Sequence, residues 1–352
     1  MKGVFHMKLK FDEKYCIDTF KRLIDVDSTT GQYEEIQKLT CEILNELGVH
    51  YDVTHKGGVI ADLGGEGNAL TVTAHLDDIG LMVRHVNADG TLNLCPVGGL
   101  YPFYCVTENV RIYTHGGKVF TGSICRTPNS IHVTEEELRT VLPDFRKNVC
   151  VVLDEDVKTA EDVKKLGIDT GDYIALEPRF RIENGYIKSR FIDDKACAAV
   201  LFAYIKALKD SGLFPARKTY AYFAFYEEIG HGTVWLPEDV KDILSVDIAP
   251  TGPDQNSDER KVSIFAKDSR YPYHRAMTGE LIDAAKASGA DYVVDIFTPH
   301  YGTDGDASVA AGYDIRHAAI GPGTLNSHGY ERTHIDGLKN TFILLAEYIG
   351  AK

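Results

Sequence analysis

From residue 190 onwards, segments with a strand pattern alternate with segments with a helical pattern, and this alternation constrains the fold more than any other feature. The predicted helices cover 194–210, 273–288 and 335–349, and the predicted strands cover 217–226, 243–249, 291–297 and 315–320. Strands that alternate with helices are typical of a parallel sheet, in which crossover helices cover both faces. We therefore predict an α/β fold with a mainly parallel central sheet.

The first 79 residues continue the same pattern. Apolar residues at three- and four-residue spacing predict helices over 11–26 and 33–48. Strand patterns follow over 50–55, 58–64 and 69–83, and the last of these runs is interrupted by His75, Asp77 and Asp78.

Between residues 80 and 184 the pattern changes to short alternating segments punctuated by glycine, such as VRIYTHGGKVFTGSIC at 110–125. Such segments are typical of a small β-rich domain. The simplest organisation is a discontinuous catalytic α/β domain, residues 1–79 and 185–352, interrupted by a small β-barrel-like domain, residues 80–184.

Composition narrows the possible partners and compartments. The formal net charge of −14 over 352 residues disfavours nucleic acid and anionic membrane surfaces as partners. The seven cysteines are scattered without a Cys-x-x-Cys pair, so we expect reduced thiols. The N-terminal segment lacks the apolar core of a signal peptide, and no apolar run approaches the length of a membrane span. These features predict a soluble, cytoplasmic protein.

The segment AYFAFYEEIGHG at 221–232 places Glu227 and Glu228 directly after six apolar or aromatic residues. Neighbouring residues on a strand point to opposite faces, so both carboxylates could not simply face solvent. A buried unpaired carboxylate is costly, and it normally becomes protonated, forms an ion pair or binds a metal. For either residue alone, a strand that runs out into water is the alternative.

Other acidic residues and histidines also stand at predicted strand ends or at a predicted helix start. Ligands of a parallel sheet gather beyond the carboxyl ends of its strands, so we expect these residues to meet there. Singly, each could be a hydrogen-bonded core histidine, a strand-end cap or a helix N-cap. Together they are ligands without Lys, Arg or Cys partners, a set that suits zinc, cobalt or manganese. The members are His75, Asp77, Asp193, Asp194, Glu227, Glu228, Asp247 and His328.

The order of these motifs along nearly the whole chain resembles the TET or glutamyl aminopeptidase family of dinuclear metallo-aminopeptidases. The matching segments are AHLDDIG, IDDKAC, EEIG, SVDIAP and SHGYE, with YGTDGDAS before the final strand. The resemblance implies a zinc-peptidase-like fold, two divalent metal ions per subunit (zinc, or alternatively cobalt or manganese) and removal of N-terminal residues from short peptides. It also implies a homo-oligomer, a dodecamer built from dimers through the inserted domain.

The resemblance implies a metal-binding role for five of the matched residues. Asp193 would bridge the two ions, with one carboxylate oxygen on each. His75 and Asp247 would complete one site, and Glu228 and His328 would complete the other.

Two further matched residues would act without binding metal. Asp77 would hydrogen-bond the imidazole of His75 and fix its tautomer. Glu227 would take the proton from a metal-bridging water and pass it to the leaving amine.

Three other histidines lie in or near the matched segments. His334 is the rival for the last ligand position, but His328 is preferred because it follows a strand, whereas His334 lies at the start of the C-terminal helix. We expect His231 and His300 near the site, with no role assigned to either.

The sequence also departs from the family pattern. Asp78 and Lys195 stand where Glu and Arg are usual, and HGTVWLP follows the glutamates where Leu-Arg-Gly-Ala is common. We expect these positions at the rim of the site, where they would alter substrate choice. A related deacylase or amidohydrolase of a small acylated metabolite is therefore an alternative. A catalytically inactive assembly module is a third hypothesis, which the retention of all five ligands and of Glu227 disfavours.

Overall fold

A computed structural model describes residues 9–352 as three sheets and eight α-helices. Residues 1–8, which begin the predicted segment 1–79, lie outside the described residues. The helices are α1 (Glu13–Ile24), α2 (Glu34–Glu46), α3 (Glu136–Arg139), α4 (Ala160–Leu166), α5 (Ile192–Ser211), α6 (Arg275–Ser288), α7 (Asp304–Ala310) and α8 (Ile335–Ile349). Over residues 9–352, no helix combines the length and the apolar character that crossing a membrane requires.

The strands vary from two to ten residues in length. They are β1 (Tyr51–Val53), β2 (Val59–Asp62), β3 (Glu66–His75), β4 (Gly80–Val86), β5 (Leu92–Val97), β6 (Asn109–Tyr113), β7 (Val119–Arg126), β8 (Val149–Leu153), β9 (Tyr173–Leu176), β10 (Arg181–Glu183), β11 (Tyr186–Ser189), β12 (Arg217–Ala224), β13 (Val240–Val246), β14 (Ala249–Pro250), β15 (Val262–Lys267), β16 (Tyr292–Ile296), β17 (Arg316–Thr324) and β18 (Glu331–His334).

The main sheet is built around four adjacent parallel strands, in the order β12, β3, β13 and β17. Strands β2 and β1 extend it on one side, each antiparallel to its neighbour, and β15 and β16 run opposite to β17 on the other. The predicted α/β class with a mainly parallel central sheet is confirmed.

Helix α5 is buried over most of its length against this sheet. Its apolar segment 199–205 has no polar face, which is typical of a helix that is covered on all sides. The ring of Phe202 stacks on Phe223 of β12 with centroids 4.1 Å apart, and α5 also packs against α1, α8 and β3. These contacts fix the start of α5, which carries Asp193 and Asp194, beside the end of β3.

Between β3 and α5 the chain forms a closed barrel of six antiparallel strands, in the order β4, β5, β8, β7, β6 and β9. The predicted strand 69–83 is therefore wrong as one element, because it belongs to β3 in the main sheet and then to β4 in the barrel. The turn between them is held where Asp78 N–H donates to the carbonyl of Ser28 (2.8 Å) and Thr30 N–H donates to the carbonyl of Asp78 (3.0 Å). The limits of the inserted domain, 80–184, stay a prediction.

Strands β15 and β18 and helix α7 are absent from the predicted elements. Helix α7 is short and made of small residues, and Asp306 stabilises its start by accepting the N–H of Thr303 (3.1 Å). Strand β18 has four residues and pairs with β11, which the chain reaches on its return from the barrel. Elements that depend on such contacts leave no periodic pattern in the sequence.

Arg190 is a buried cation between the insert and the loop after β17. Its guanidinium donates to Oε1 of Glu108 (3.1 Å), to the carbonyl of Gly329 (3.3 Å) and to the carbonyl of Tyr104. A buried charge is tolerated only when it is paired and hydrogen-bonded. Arg190 therefore fixes the insert relative to the segment that carries His328.

We expect Arg190→Met to lower the free energy of unfolding by about 3–5 kcal/mol, because it leaves buried Glu108 with only the half-exposed Arg179 as its partner. Urea denaturation followed by circular dichroism measures the change. Arg181→Met is the control, because Arg181 is exposed in β10. Equal denaturation midpoints for the two variants would contradict the prediction.

Candidate metal centre

The four central strands end at one edge of the main sheet, and each brings a predicted site residue there. His75 is the last residue of β3, whereas Glu227, Asp247 and His328 follow β12, β13 and β17. Because these strands are parallel, their carboxyl ends meet at the same edge. The start of α5 adds Asp193 to the same place.

The two glutamates lie in a tight turn rather than on strand β12. The strand ends at Ala224, Tyr226 has a left-handed backbone with φ 74°, and Glu227–Ile229 form a 3-10 helix. The predicted strand 217–226 is therefore wrong at its end, and the rule of alternating strand faces does not apply to the glutamates. Both instead line one cavity.

Asp77 holds this turn through its carboxylate. Its Oδ1 accepts the N–H of Glu227 (3.1 Å), and its Oδ2 accepts the N–H of Glu228 (3.3 Å) and the hydroxyl of Thr30 (2.8 Å). Nδ1 of His75 lies 3.5 Å from Oδ1 of Asp77 but only 3.0 Å from the backbone carbonyl oxygen of Asp77. Asp77 thus contacts both the imidazole and the turn that carries the glutamates.

The carboxylate of Asp193 lies between two histidines. Its Oδ1 is 3.2 Å from Nε2 of His75, and its Oδ2 is 3.5 Å from Nε2 of His328. The same nitrogen of His328 is 3.5 Å from Oε2 of Glu228. One carboxylate therefore faces two imidazoles through its two different oxygens.

Among the described residues, the possible metal donors form two groups that share His75. The donor atoms of His75, Asp193 and Glu228 lie within 4.8 Å of one another, and so do those of His75, Asp194 and Asp247. Asp194 received no role in the predicted ligand set, yet it is fully buried and its Oδ2 accepts the backbone N–H of His75 (3.1 Å). The pair of aspartates in IDDKAC was the sequence signal for Asp194. The sequence alone does not show which of the two aspartates lies next to which of the other donor residues.

Sequence reasoning gave no role to Glu331, which holds two of the predicted ligands in position. Its Oε2 accepts the backbone N–H of Asp193 (3.1 Å), and its Oε1 accepts the backbone N–H of His328 (3.0 Å). The glutamate that ends the SHGYE motif was the available signal. Its carboxylate is buried, so it joins the α5 start to the loop after β17.

Burial dominates the electrostatics of the acidic residues. Desolvation raises the pKa of Asp194, Glu227 and Asp247 well above their ordinary values, because it disfavours the charged carboxylate. The same cause raises the pKa of Glu228 to about 8. Without a cation beside it, Glu228 would therefore be mostly protonated at neutral pH, and burial favours the neutral form of the other three carboxylates.

Asp193 and the two histidines behave in the opposite way. Burial alone would raise the pKa of Asp193, but hydrogen bonds from His328 and His75 outweigh it and lower the pKa. Burial likewise opposes the charged forms of His75 and His328, yet the surrounding carboxylates raise both histidine pKa values. The centre thus attracts positive charge.

The residues present fit a divalent metal centre. Several adjacent buried carboxylates keep their charges only when cations lie among them. Imidazole nitrogens and carboxylate oxygens are the usual ligands of catalytic zinc and of related ions, and neither donor group contains a cysteine.

The remaining histidines occupy different surroundings. His334 does not line the cavity that His328 lines. Its Nδ1 accepts a backbone N–H at the start of α8 (3.0 Å), and its ring packs against Tyr186. His231 stacks on Tyr226 with centroids 5.0 Å apart. His300 lines the same cavity as the glutamates.

Asp78 and Lys195 form a buried ion pair, with Nζ of Lys195 2.6 Å from Oδ2 of Asp78. Lys195 also donates to the carbonyl of Val26 (2.9 Å). The side chains of Asp78 and Lys195 are 2% and 0% exposed. The expectation that these two departures lie at the rim is therefore wrong, because the two opposite charges neutralise each other in the interior.

A cavity of about 470 Å³ opens over the cluster. Five predicted site residues line it, and the insert contributes two aromatic rings to its wall. The lining includes Asp193, Glu227, Glu228, Asp247, His328, Tyr101, Tyr104, Gly230, Arg270, His300, Tyr301 and Gly302.

Known proteins resemble this chain in sequence and in fold. It is 35% identical over 337 residues to the aminopeptidase YhfE of Bacillus subtilis, covering 95% of this chain and 96% of that protein. It is 27% identical over 219 residues to the lysyl aminopeptidase of Pyrococcus furiosus, covering 60% of each.

Two solved structures share the fold. A TET aminopeptidase from a marine sediment archaeon of the Thaumarchaeota superposes with a TM-score of 0.84 at 19% identity, covering 95% of this chain and 96% of that chain. The TET1 peptidase of Pyrococcus horikoshii gives 0.83 at 21% identity, covering 95% and 99%. The likeness of these structures concerns the fold alone.

A match to a protein-family model shows which family this chain belongs to. The model of the M42 glutamyl aminopeptidases matches residues 57–344, a range that contains His75, Asp193, Glu227, Asp247 and His328. This chain therefore belongs to the M42 glutamyl aminopeptidase family of metal-dependent aminopeptidases.

Proposed function

We propose that this protein is a dinuclear metallo-aminopeptidase that removes the N-terminal residue from short peptides. The observation that carries the proposal is the position of Asp193, whose two carboxylate oxygens face His75 and His328. A carboxylate in that position can bind one cation through each oxygen. This supports a pair of ions rather than a single one.

The proposed ligands divide into two sets around Asp193. His75 and Asp247 complete one set, and Glu228 and His328, whose nearest donor atoms are 3.5 Å apart, complete the other. Zinc is the proposed ion, with cobalt or manganese as alternatives. When bound, such ions polarise the scissile carbonyl and make water a better nucleophile at neutral pH.

Glu227 is the proposed general base. Its Oε2 lies 3.7 Å from Nε2 of His75, and its side chain lines the same cavity as the proposed ligands. A carboxylate beside the ligands, but outside them, can accept a proton from the attacking water and deliver it to the leaving amine. Asp77 supports this role because it fixes the backbone N–H of Glu227.

Family membership leaves the preferred N-terminal residue open. One relative is named for lysyl residues and another, from Lactococcus lactis, for glutamyl residues.

All seven cysteines are free thiols, which supports the proposed location in the reducing cytoplasm.

We also propose that the protein is a homo-oligomer, a dodecamer, assembled through the insert 80–184. One structural neighbour is a dodecamer, and another can assemble into a tetrahedron or a large octahedral shell. The insert exposes several large apolar side chains within a short segment, and such patches mark interaction surfaces. They are Ile131, Val133, Leu138, Val141 and Leu142, with Val133 and Leu142 82% and 77% exposed.

Removal of metal tests the proposed function directly. We expect a chelator to abolish hydrolysis of a free-amine peptide, because the buried carboxylates then lack their cations, and zinc, cobalt or manganese to restore it. Elemental analysis should give two ions per chain. The N-acetylated form of the same peptide is the matched control.

Each other outcome contradicts the proposal in a distinct way. Cleavage of only the acetylated peptide would indicate a deacylase. No cleavage of either peptide by the metal-loaded protein would indicate an inactive module. Full activity in metal-free protein would exclude the metal mechanism.

Substitution of the two glutamates tests their division of labour. Glu227→Gln keeps shape but cannot accept a proton, so we expect turnover to fall about a hundredfold to ten-thousandfold while metal content stays unchanged. Glu228→Gln should instead lose metal, because a neutral amide is a poorer ligand than a carboxylate. His334→Ala is the control for metal content, which it should keep. Loss of metal from Glu227→Gln alone would reverse the assignment.

Light scattering tests the assembly. We expect the wild-type particle to be many times the mass of one 39.0 kDa chain, and Leu142→Glu to shrink it, because a charge in an apolar interface is costly. Val119→Glu is the matched control on the barrel, where Val119 is 51% exposed. A wild-type monomer at micromolar concentration would contradict the proposal.

A further inference from the structure

Lys56 and His231 form a polar contact beside the turn that carries the two glutamates. Nζ of Lys56 is 2.7 Å from Nδ1 of His231, and it also donates to the backbone carbonyl of His231. An ammonium group can only donate, so Nδ1 of His231 accepts and the proton of the neutral ring lies on Nε2. Lys56 therefore holds both the ring and the backbone of His231.

His231 in turn contacts Tyr226, the residue that precedes Glu227. The rings of His231 and Tyr226 stack with centroids 5.0 Å apart and an angle of 19° between their planes. The N–H of His231 donates to the carbonyl of Tyr226 (3.1 Å), and Nζ of Lys56 lies 5.0 Å from the centroid of the Tyr226 ring. The pair thus restrains the side chain and the backbone of Tyr226.

Tyr226 needs this restraint because its backbone is left-handed, with φ 74°. A residue with a side chain is strained in this conformation, and it keeps the conformation only where its surroundings fix it. The backbone of Tyr226 sets the point and the direction from which Glu227 starts. A relaxed Tyr226 would therefore move the side chain of Glu227 away from its place beside His75.

The loop that carries Lys56 is itself ordered. It joins β1 to β2, and within it the N–H of Thr54 donates to the carbonyl of Gly58 (2.8 Å). The side-chain amide of Gln37, in α2, donates to the carbonyl of Gly57 (2.6 Å). Lys56 therefore reaches His231 from a fixed position.

Neither Lys56 nor His231 lines the cavity over the metal centre. Lys56 lines a different cavity, of about 720 Å³, together with Gly232 and Trp235 of the HGTVWLP segment. The two residues therefore do not contact a substrate that is bound over the metal centre. Any effect that they have on turnover must pass through the turn of the glutamates.

We propose that Lys56 and His231 are positioning residues for Glu227, an inference that rests on the proposed general-base mechanism. The ammonium of Lys56 fixes His231, His231 fixes the strained Tyr226, and Tyr226 directs the carboxylate of Glu227. A general base acts only within hydrogen-bond reach of the proton that it takes. Loss of the pair would therefore slow proton transfer without removing a metal ligand.

Removal of the ammonium tests this assignment. We expect Lys56→Met to lower kcat for a free-amine peptide about tenfold to a hundredfold, because a small misplacement of a reacting group has an effect of that size. KM and the metal content should stay as in wild type. Lys56→Arg should recover part of the loss, because it can still donate to His231. Lys38→Met is the matched control, since Lys38 is exposed in α2 and lines neither cavity.

A double-mutant cycle with Glu227→Gln shows whether Lys56 acts through the base. If it does, Lys56→Met should change kcat by less than roughly twofold when Glu227→Gln is already present. Two losses that multiply would overturn the proposal, as would an unchanged kcat or a loss of metal in Lys56→Met alone. Normal turnover of Glu227→Gln alone would instead reject the general-base role, so the two failures are distinguishable.

Hydrogen exchange measured by mass spectrometry provides a readout that does not depend on turnover. The N–H groups of the turn 226–231 should exchange several-fold faster in Lys56→Met, whereas peptides from the barrel should exchange as in wild type. If Lys56→Met does not fold, two substitutions of His231 replace it. His231→Phe keeps a ring beside Tyr226, so it should accelerate exchange in the turn less than His231→Ala does. Wild-type exchange of the turn in His231→Ala would overturn the proposal.

Discussion

The structure depends on the placement of several carboxylates out of water and next to one another. Each carboxylate in such a place loses hydration and repels its neighbours, so it must find protons, donors or cations. Asp77 finds two backbone N–H groups and a hydroxyl, and Asp193 finds two imidazoles. Asp194 and Asp247 are also buried, but they have few such partners. The centre is therefore incomplete as protein alone, and divalent cations are the partners that complete it.

The surrounding fold can be understood as the means of holding these groups together. Four parallel strands end at one edge, and the buried helix α5 approaches that edge from the side, so that five separated segments converge there. Glu331 and Arg190 then join the segments to one another through buried hydrogen bonds. Such contacts limit the freedom of the proposed ligands. A metal centre needs this restraint, because the positions of its ligands set its geometry.

Much of this arrangement can be predicted from the sequence, because His75, Glu227 and Asp247 each stand at or after the end of an apolar run that forms a central strand. Parallel pairing alone then predicts that they meet. The structure of the glutamate turn was not predictable in this way, because it depends on the left-handed backbone of Tyr226 and on the carboxylate of Asp77. These are tertiary contacts, which a periodic pattern does not encode.

The same distinction explains the residues that sequence reasoning left without a role. Asp194 accepts the backbone N–H of His75 and Glu331 accepts that of Asp193, and both of these partners are more than a hundred residues away in the chain. The local sequence therefore does not identify these partners. Helix α7 and strand β18 are likewise short and depend on capping or on pairing with a distant strand. The long periodic elements, by contrast, bury a continuous apolar face and were predicted to within a few residues.

The positions of Asp78 and Lys195 in the structure change the interpretation of these two departures from the family pattern. Asp78 and Lys195 are far apart in the chain and look like two independent changes, but they form one ion pair at 2.6 Å. A pair of shorter or less extended side chains replaces the Glu and Arg that the resemblance leads one to expect, and the charge balance of the interior is kept. Because this pair is buried, it does not contact a substrate. The residues that can contact a substrate in the cavity are instead those of its wall, in which Arg270 is the single Lys or Arg among the described residues.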